Sequence, residues 1–147
     1  MIVDTIKTIA ENSLNMTFAY GDRTALNLID ENTGKYALWL LPVENKPEVN
    51  GLNKVVVNNY DIALFMCIKS DMDAGTPAIN GQDYYAQKWG QNIKPLYTGG
   101  SVENFVKSFT CKEEFTVSAP VVKEVINLFD LNVDGLYVTL TIKEDLI

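Results

Sequence analysis

Apolar residues recur at helical spacing near the N-terminus and at strand spacing through most of the rest of the chain. Ile2, Ile6 and Ile9 form one stripe, widened by Val3, Ala10 and Leu14, which predicts an amphipathic helix over residues 2–14. Asp4 sits in its first turn, where the helix dipole favours an anion. Strand patterns follow. "MTFAY" stops at Gly21-Asp22, "TALNLID" at Glu31-Asn32-Thr33-Gly34, and "KYALWLL" at Pro42. The short polar loop between the last two predicts a hairpin. Tyr36 and Trp39 in its second strand are expected in the core.

Residues 42–53, "PVENKPEVNGLN", hold two prolines, a glycine and three asparagines, and read as a long loop suited to contacting another subunit. Residues 54–69 form the longest strand-like run. It is apolar on both faces from Ile62 onward, as a central covered strand would be, and Asn58, Asn59 and Asp61 suggest a bend or bulge in its first half. A second loop covers residues 70–81. Asp71 and Asp73 lie two residues apart in it, but spacing places no further oxygen ligands, so a solvated turn is expected there.

Residues 82–110 are helical in character. Tyr85, Trp89 and Ile93 fall at i, i+4 and i+8, Pro95 should end or kink that helix, and Gly99-Gly100 is a clear break. Ser101 is placed to cap a second helix with the stripe Val102, Phe105, Val106 and Phe109. Gly99-Gly100 lacks the lysine and length of a phosphate loop. Strands return after residue 113. "EFTVS" reaches Pro120, "VVKEVINLFD" follows, and "GLYVTLTIK" alternates with Leu136, Val138, Leu140 and Ile142 inward. The chain therefore reads as a single α+β domain over residues 1–147. It has an N-terminal helix, a mostly antiparallel sheet with a C-terminal hairpin, and a helical segment between the central strand and the last strands.

"DLNVDG" at residues 130–135 matches the first half of a calcium loop. The full motif needs a bidentate glutamate at its twelfth position, which here is Thr141, and a helix on each side, where both flanks alternate like strands. An Asp-Gly pair between alternating segments is instead a hairpin signal, so Asp134-Gly135 is expected to turn the chain between the last two strands.

Composition narrows the chemistry. Histidine is absent, which removes the commonest general base and metal ligand and the histidine-based hydrolase triads. Cys67 and Cys111 are too few for a disulfide framework and are expected as buried free thiols. No apolar run approaches the ~18 residues that a membrane helix needs. No basic segment precedes the first residues and Asp4 interrupts them, so no secretory leader is expected. The net charge of −7 argues against gripping nucleic acid through its phosphates, yet suits a passage through which DNA slides without sticking. No catalytic, cofactor or metal residues are assigned, and no enzyme is expected.

The element order, with the ending "NLFDLNVDGLYVTLTIKED", resembles small head–tail joining and tail-terminator (tail-completion) proteins of tailed bacteriophages, including ring proteins of crAss-like phages of Bacteroidetes. The resemblance spans most of the chain in order and pattern. It departs from the simplest family pattern in the break from Pro95 to Gly100. It implies a structural virion protein in the neck or tail, made in the host cytoplasm. Such a protein joins its own copies in a ring, often of six or twelve, between portal, neck and tail-tube proteins, and genomic DNA passes through the channel without specific binding. The loops matched to subunit contacts place Glu44, Asn45, Lys46, Glu48 and Asn50 in one and Asp71, Asp73 and Thr76 in the other. The alternative is a small ligand- or peptide-binding α+β module in which Trp39, Trp89, Tyr84 and Tyr85 line a pocket.

Overall fold

The computed structural model describes residues 1–22, 34–70, 78, 80–128 and 132–147. Among them are eight strands: β1 (Thr17–Tyr20), β2 (Tyr36–Leu40), β3 (Glu44–Asn45), β4 (Glu48–Val49), β5 (Val55–Lys69), β6 (Phe115–Val117), β7 (Val121–Val125) and β8 (Val133–Asp145). The fold is α+β. Helix α1 (Ile2–Thr8) runs on into a π turn at Ile9–Ser13. Helices α2 (Tyr84–Lys88) and α3 (Lys94–Thr98) are joined by a second π turn at Trp89–Ile93, and α4 (Ser101–Thr110) follows the Gly99-Gly100 break. The strand expected over "TALNLID" lies outside the described residues, as do Asp71, Asp73 and Thr76.

Two long strands carry the sheet. β5 and β8 pair antiparallel from Val57↔Asp145 to Lys69↔Val133. Shorter strands line their outer edges. β2, β3 and β4 pair antiparallel with β5, β6 and β7 pair antiparallel with β8, and β1 pairs parallel with β2 at one side. Between β6 and β7 the chain is held by Ser118, whose hydroxyl accepts the Thr141 N–H at 2.8 Å while its N–H donates to the Thr141 carbonyl at 2.9 Å.

Alternation sends the even-numbered residues of β5 and β8 to the helical side. Leu64, Met66, Leu136, Val138 and Ile142 meet Ile6, Ala10, Ile93, Leu96, Phe105 and Phe109 in the main core. Phe105, Phe109 and Phe115 pack edge to face, with centroids 5.4 and 5.1 Å apart. Odd-numbered residues build a smaller cluster on the other face. Trp39 stacks on Phe65 at 4.9 Å, and its indole N–H donates to the Gly21 carbonyl at 2.8 Å.

Several expectations need correction. Asp134 and Gly135 are inside β8 rather than at a turn, and the β7–β8 connection precedes them. Residues 42–53 are not a free loop, because β3 and β4 add two edge strands to β5 on either side of Pro47. Proline is tolerated at such an edge, where its missing N–H breaks no ladder bond. β5 crosses Asn58, Asn59 and Asp61 without losing register with β8. The strand expected from residue 121 stops at Val125. Pro95 does not end the helix: the preceding π turn closes with the Lys94 N–H on the Trp89 carbonyl, and Pro95 falls in the first turn of α3, where no N–H is needed. Gly100, in the left-handed region at φ 63°, takes the N-cap position expected for Ser101. Of Tyr85, Trp89 and Ile93, only Ile93 enters the core.

The two thiols differ. Cys67 is buried and Cys111 exposed, which corrects the expectation for Cys111. Burial, and then the charge of Asp134, push the Cys67 thiol up to about 12. Native protein should therefore show one thiol reactive toward an aromatic disulfide reagent, and denatured protein two. The unfolded chain ionises Cys67 near 9.0 while the folded chain keeps the proton to about 12, so the unfolded state binds fewer protons in between. From this group stability falls by roughly 1.4 kcal/mol per pH unit across that window. Alkaline denaturation of Cys67→Ala should flatten by that slope.

Candidate functional site: a buried lysine in an oxygen cage

Polar residues in the interior gather where α2 and its π turn cross the end of the β7–β8 hairpin. Asp83 starts α2, its carboxylate accepting the Ala86 N–H at 2.8 Å. One helical turn apart, Lys88 and Asn92 then point inward and are buried. From the sheet side comes Asp134 on β8, with no side-chain exposure, like Lys88. Asn127 and Asn132 flank the connection, both left-handed at φ 54° and 53°.

The lysine ammonium fills the centre. Lys88 Nζ lies 3.1 Å from Asp134 Oδ1 and donates to Asn127 Oδ1; Asn132 Oδ1 and the Tyr84 hydroxyl are each 3.4 Å away. The Tyr84 ring lies over the ammonium at 5.2 Å. Asp134 is held from two other sides. Its Oδ1 accepts the Asn127 backbone N–H at 2.8 Å, and its Oδ2 accepts from Asn92 Nδ2 at 2.7 Å. The Asn92 carbonyl accepts the Tyr36 hydroxyl at 2.7 Å. Burial, followed by the negative charge of Asp134, raises the Tyr36 phenol above its usual range. Gln87 Oε1, nearby in sequence, is buried and has no hydrogen-bond partner among the described residues.

This explains the half calcium loop. Its described oxygen ligands, Asn132 and Asp134, do surround a cation, and the cation is the protein's own ammonium. Among the described residues, no three of His, Cys, Asp and Glu gather closely enough to hold a metal ion. Asp130 lies outside the described residues.

The subunit-contact candidates on β3, β4 and the following turn are exposed, and each takes part in local structure. Asn45 Nδ2 donates to Asn58 Oδ1 at 2.9 Å, and Lys46 pairs with Asp61 at 3.0 Å. Asn59 Nδ2 donates to Glu48 Oε2 at 3.0 Å, and Asn50 Oδ1 accepts the Leu52 and Lys54 N–H groups. Glu44 pairs through its backbone with Asp61. Beside this arm an open groove of about 510 Å³ is lined by Met1, Val3, Tyr20, Val43, Val55 and Leu146, among others. Val49 and Leu52 on the arm are exposed too.

Of the aromatics proposed to line a pocket, Tyr84 and Tyr85 meet edge to face at 5.1 Å, but the two tryptophans do not join them in one pocket. Trp39 is in the small core cluster, whereas the Trp89 indole is on the surface and donates to Glu124 at 3.0 Å. Sequence reasoning named Tyr84 only as a pocket-lining aromatic and missed Lys88, Asn92 and Asn127. Their one signal is the polar i, i+4, i+8 series Tyr84, Lys88, Asn92, which by itself reads as a solvated helix face.

No protein-family model, no curated protein and no solved structure matches this chain. Among the described residues, no helix is long and apolar enough to cross a membrane.

Proposed function

We propose that this chain is a structural virion protein that forms a ring at the head–tail junction of a tailed phage. In that role it performs no catalysis. Its copies pack side by side, dock on portal, neck or tail-tube rings, and leave a channel for DNA.

The observation that carries this reading is the apolar groove beside the β3–β4 arm. Exposed Tyr20, Val55 and Leu146 line it, with Val49 and Leu52 close by in the chain, on a molecule whose net charge is −7. Apolar side chains concentrated at one sheet end mark an interaction surface. The arm beside it carries five of the residues matched to subunit contacts. β3 and β4 are also short edge strands, a natural site for pairing with a neighbour. The acidic balance suits a wall past which DNA moves without adhering.

Light scattering over a concentration series tests the role of the groove. The wild-type chain should gain mass with concentration. Val55→Glu should stay monomeric while keeping its circular dichroism, because a charge placed in a copy-to-copy contact opposes association. Equal masses for the two folded proteins at every concentration would remove the groove from the assembly surface.

A further inference from the structure

We propose that Lys88 and Asn127 become joined by an intramolecular amide bond, formed without any cofactor and assisted by Asp134. Three groups needed for such a reaction meet in the cage. Lys88 Nζ, a nucleophile once it has lost a proton, donates to the side-chain carbonyl oxygen of Asn127, one bond from the carbon it would attack. Asp134 Oδ1 lies 3.1 Å from Nζ and also accepts the Asn127 backbone N–H at 2.8 Å, so the carboxylate is fixed against both reactants. Asn92 holds its other oxygen at 2.7 Å. The Tyr84 hydroxyl lies between the two asparagines, 3.2 Å from Asn132 Oδ1 and 3.4 Å from Asn127 Oδ1, and turning its proton to the latter would meet the negative charge that develops there. Neither Lys88 nor Asp134 has any side-chain exposure, so the nucleophile and the proton carrier are shielded from bulk water, while Asn127 is half-buried and leaves a way out for ammonia. Holding the groups together in one cage converts a slow bimolecular amide exchange into an intramolecular one.

The steps balance. Asp134 takes one proton from the Lys88 ammonium and frees the nitrogen lone pair. Nζ adds to Cγ of Asn127, and the carbonyl electron pair moves to Oδ1, where Tyr84 donates. Asp134 returns its proton to Nδ2, the Cγ–Nδ2 bond breaks, and ammonia departs. The carboxylate then takes the extra proton from the new amide nitrogen, and the ammonia carries that proton away as ammonium. Nothing is oxidised or reduced. Asn132 Oδ1 is also 3.4 Å from Nζ, but Asp134 is hydrogen-bonded to the backbone of Asn127, which selects Asn127 as the target. The product would tie α2 to the β7–β8 connection, which suits a wall element loaded during DNA packaging, although the chemistry does not depend on that role.

Intact-mass spectrometry of the purified, folded chain, followed until the mass is constant, tests this. The expected mass is lower than the sequence mass by one ammonia, and proteolysis should release a branched peptide joining Lys88 to Asn127. Asn127→Ala should keep its full sequence mass. Tyr84→Phe, which retains the ring, should keep the wild-type circular dichroism and form the bond at least tenfold more slowly, seen as a lasting mixture of masses. An unshifted mass in folded wild-type protein overturns the proposal. So does loss of water instead of ammonia, or a branch at Asn132.

Discussion

Gly135→Ala should be the most damaging single substitution in the described structure. A Cβ at this position would sit 2.0 Å from the Met66 carbonyl oxygen and 2.7 Å from Cys67 Cα. Both belong to β5, the strand paired with β8 along almost its whole length. The obstacle is backbone in the middle of the sheet, so no rotamer change relieves it. Either β5 and β8 separate locally or the hairpin shifts, and each breaks ladder bonds under the main core. A cost above about 4 kcal/mol is expected, in the exceptional range for one substitution. Denaturant unfolding should show the midpoint collapsing, or no folded protein should be recovered. A loss under about 1 kcal/mol would mean that the strands are not this close.

Asp134→Ala should rank second. Among the described residues it leaves the Lys88 ammonium buried with neutral oxygens alone, and it strips the acceptor from Asn92 Nδ2 and the Asn127 N–H. Breaking a buried pair from one side costs about 3–5 kcal/mol, because the remaining charge is not resolvated. Replacing both partners is milder: Lys88→Met with Asp134→Leu should lose at least about 2 kcal/mol less than the two single losses summed. The cycle belongs in an Asn127→Ala background, where no amide bond can form. Additive losses would mean that the pair contributes nothing as a pair.

Legibility in the sequence followed the range of the interactions. The alternation of Leu136, Val138, Leu140 and Ile142 and the stripe of Phe105 and Phe109 were readable because each is set by its own element's period. Asp134-Gly135 misled for a physical reason. Glycine serves both tight turns and close backbone approach, and only the pairing with Met66 and Cys67, far away in sequence, tells which. Lys88 was invisible for the same reason. A lysine on a helix reads as solvated, and its burial depends on Asn127, Asn132 and Asp134, all on the far side of α4 and β6 in the chain. The cation-loop pattern did mark real ligands, but not that the cation is a side chain. Pro42 and Pro47 made residues 42–53 look like a loop, whereas two-residue edge strands are too short to leave a periodic pattern.

Whether copies of this chain close into a ring, as proposed, is read from electron-microscope images of the purified protein, alone and mixed with a portal ring. Closed rings with one central opening wide enough for duplex DNA are expected, and they should be lost in Val55→Glu. Single copies in both preparations, or assemblies without an axial channel, would contradict that proposal.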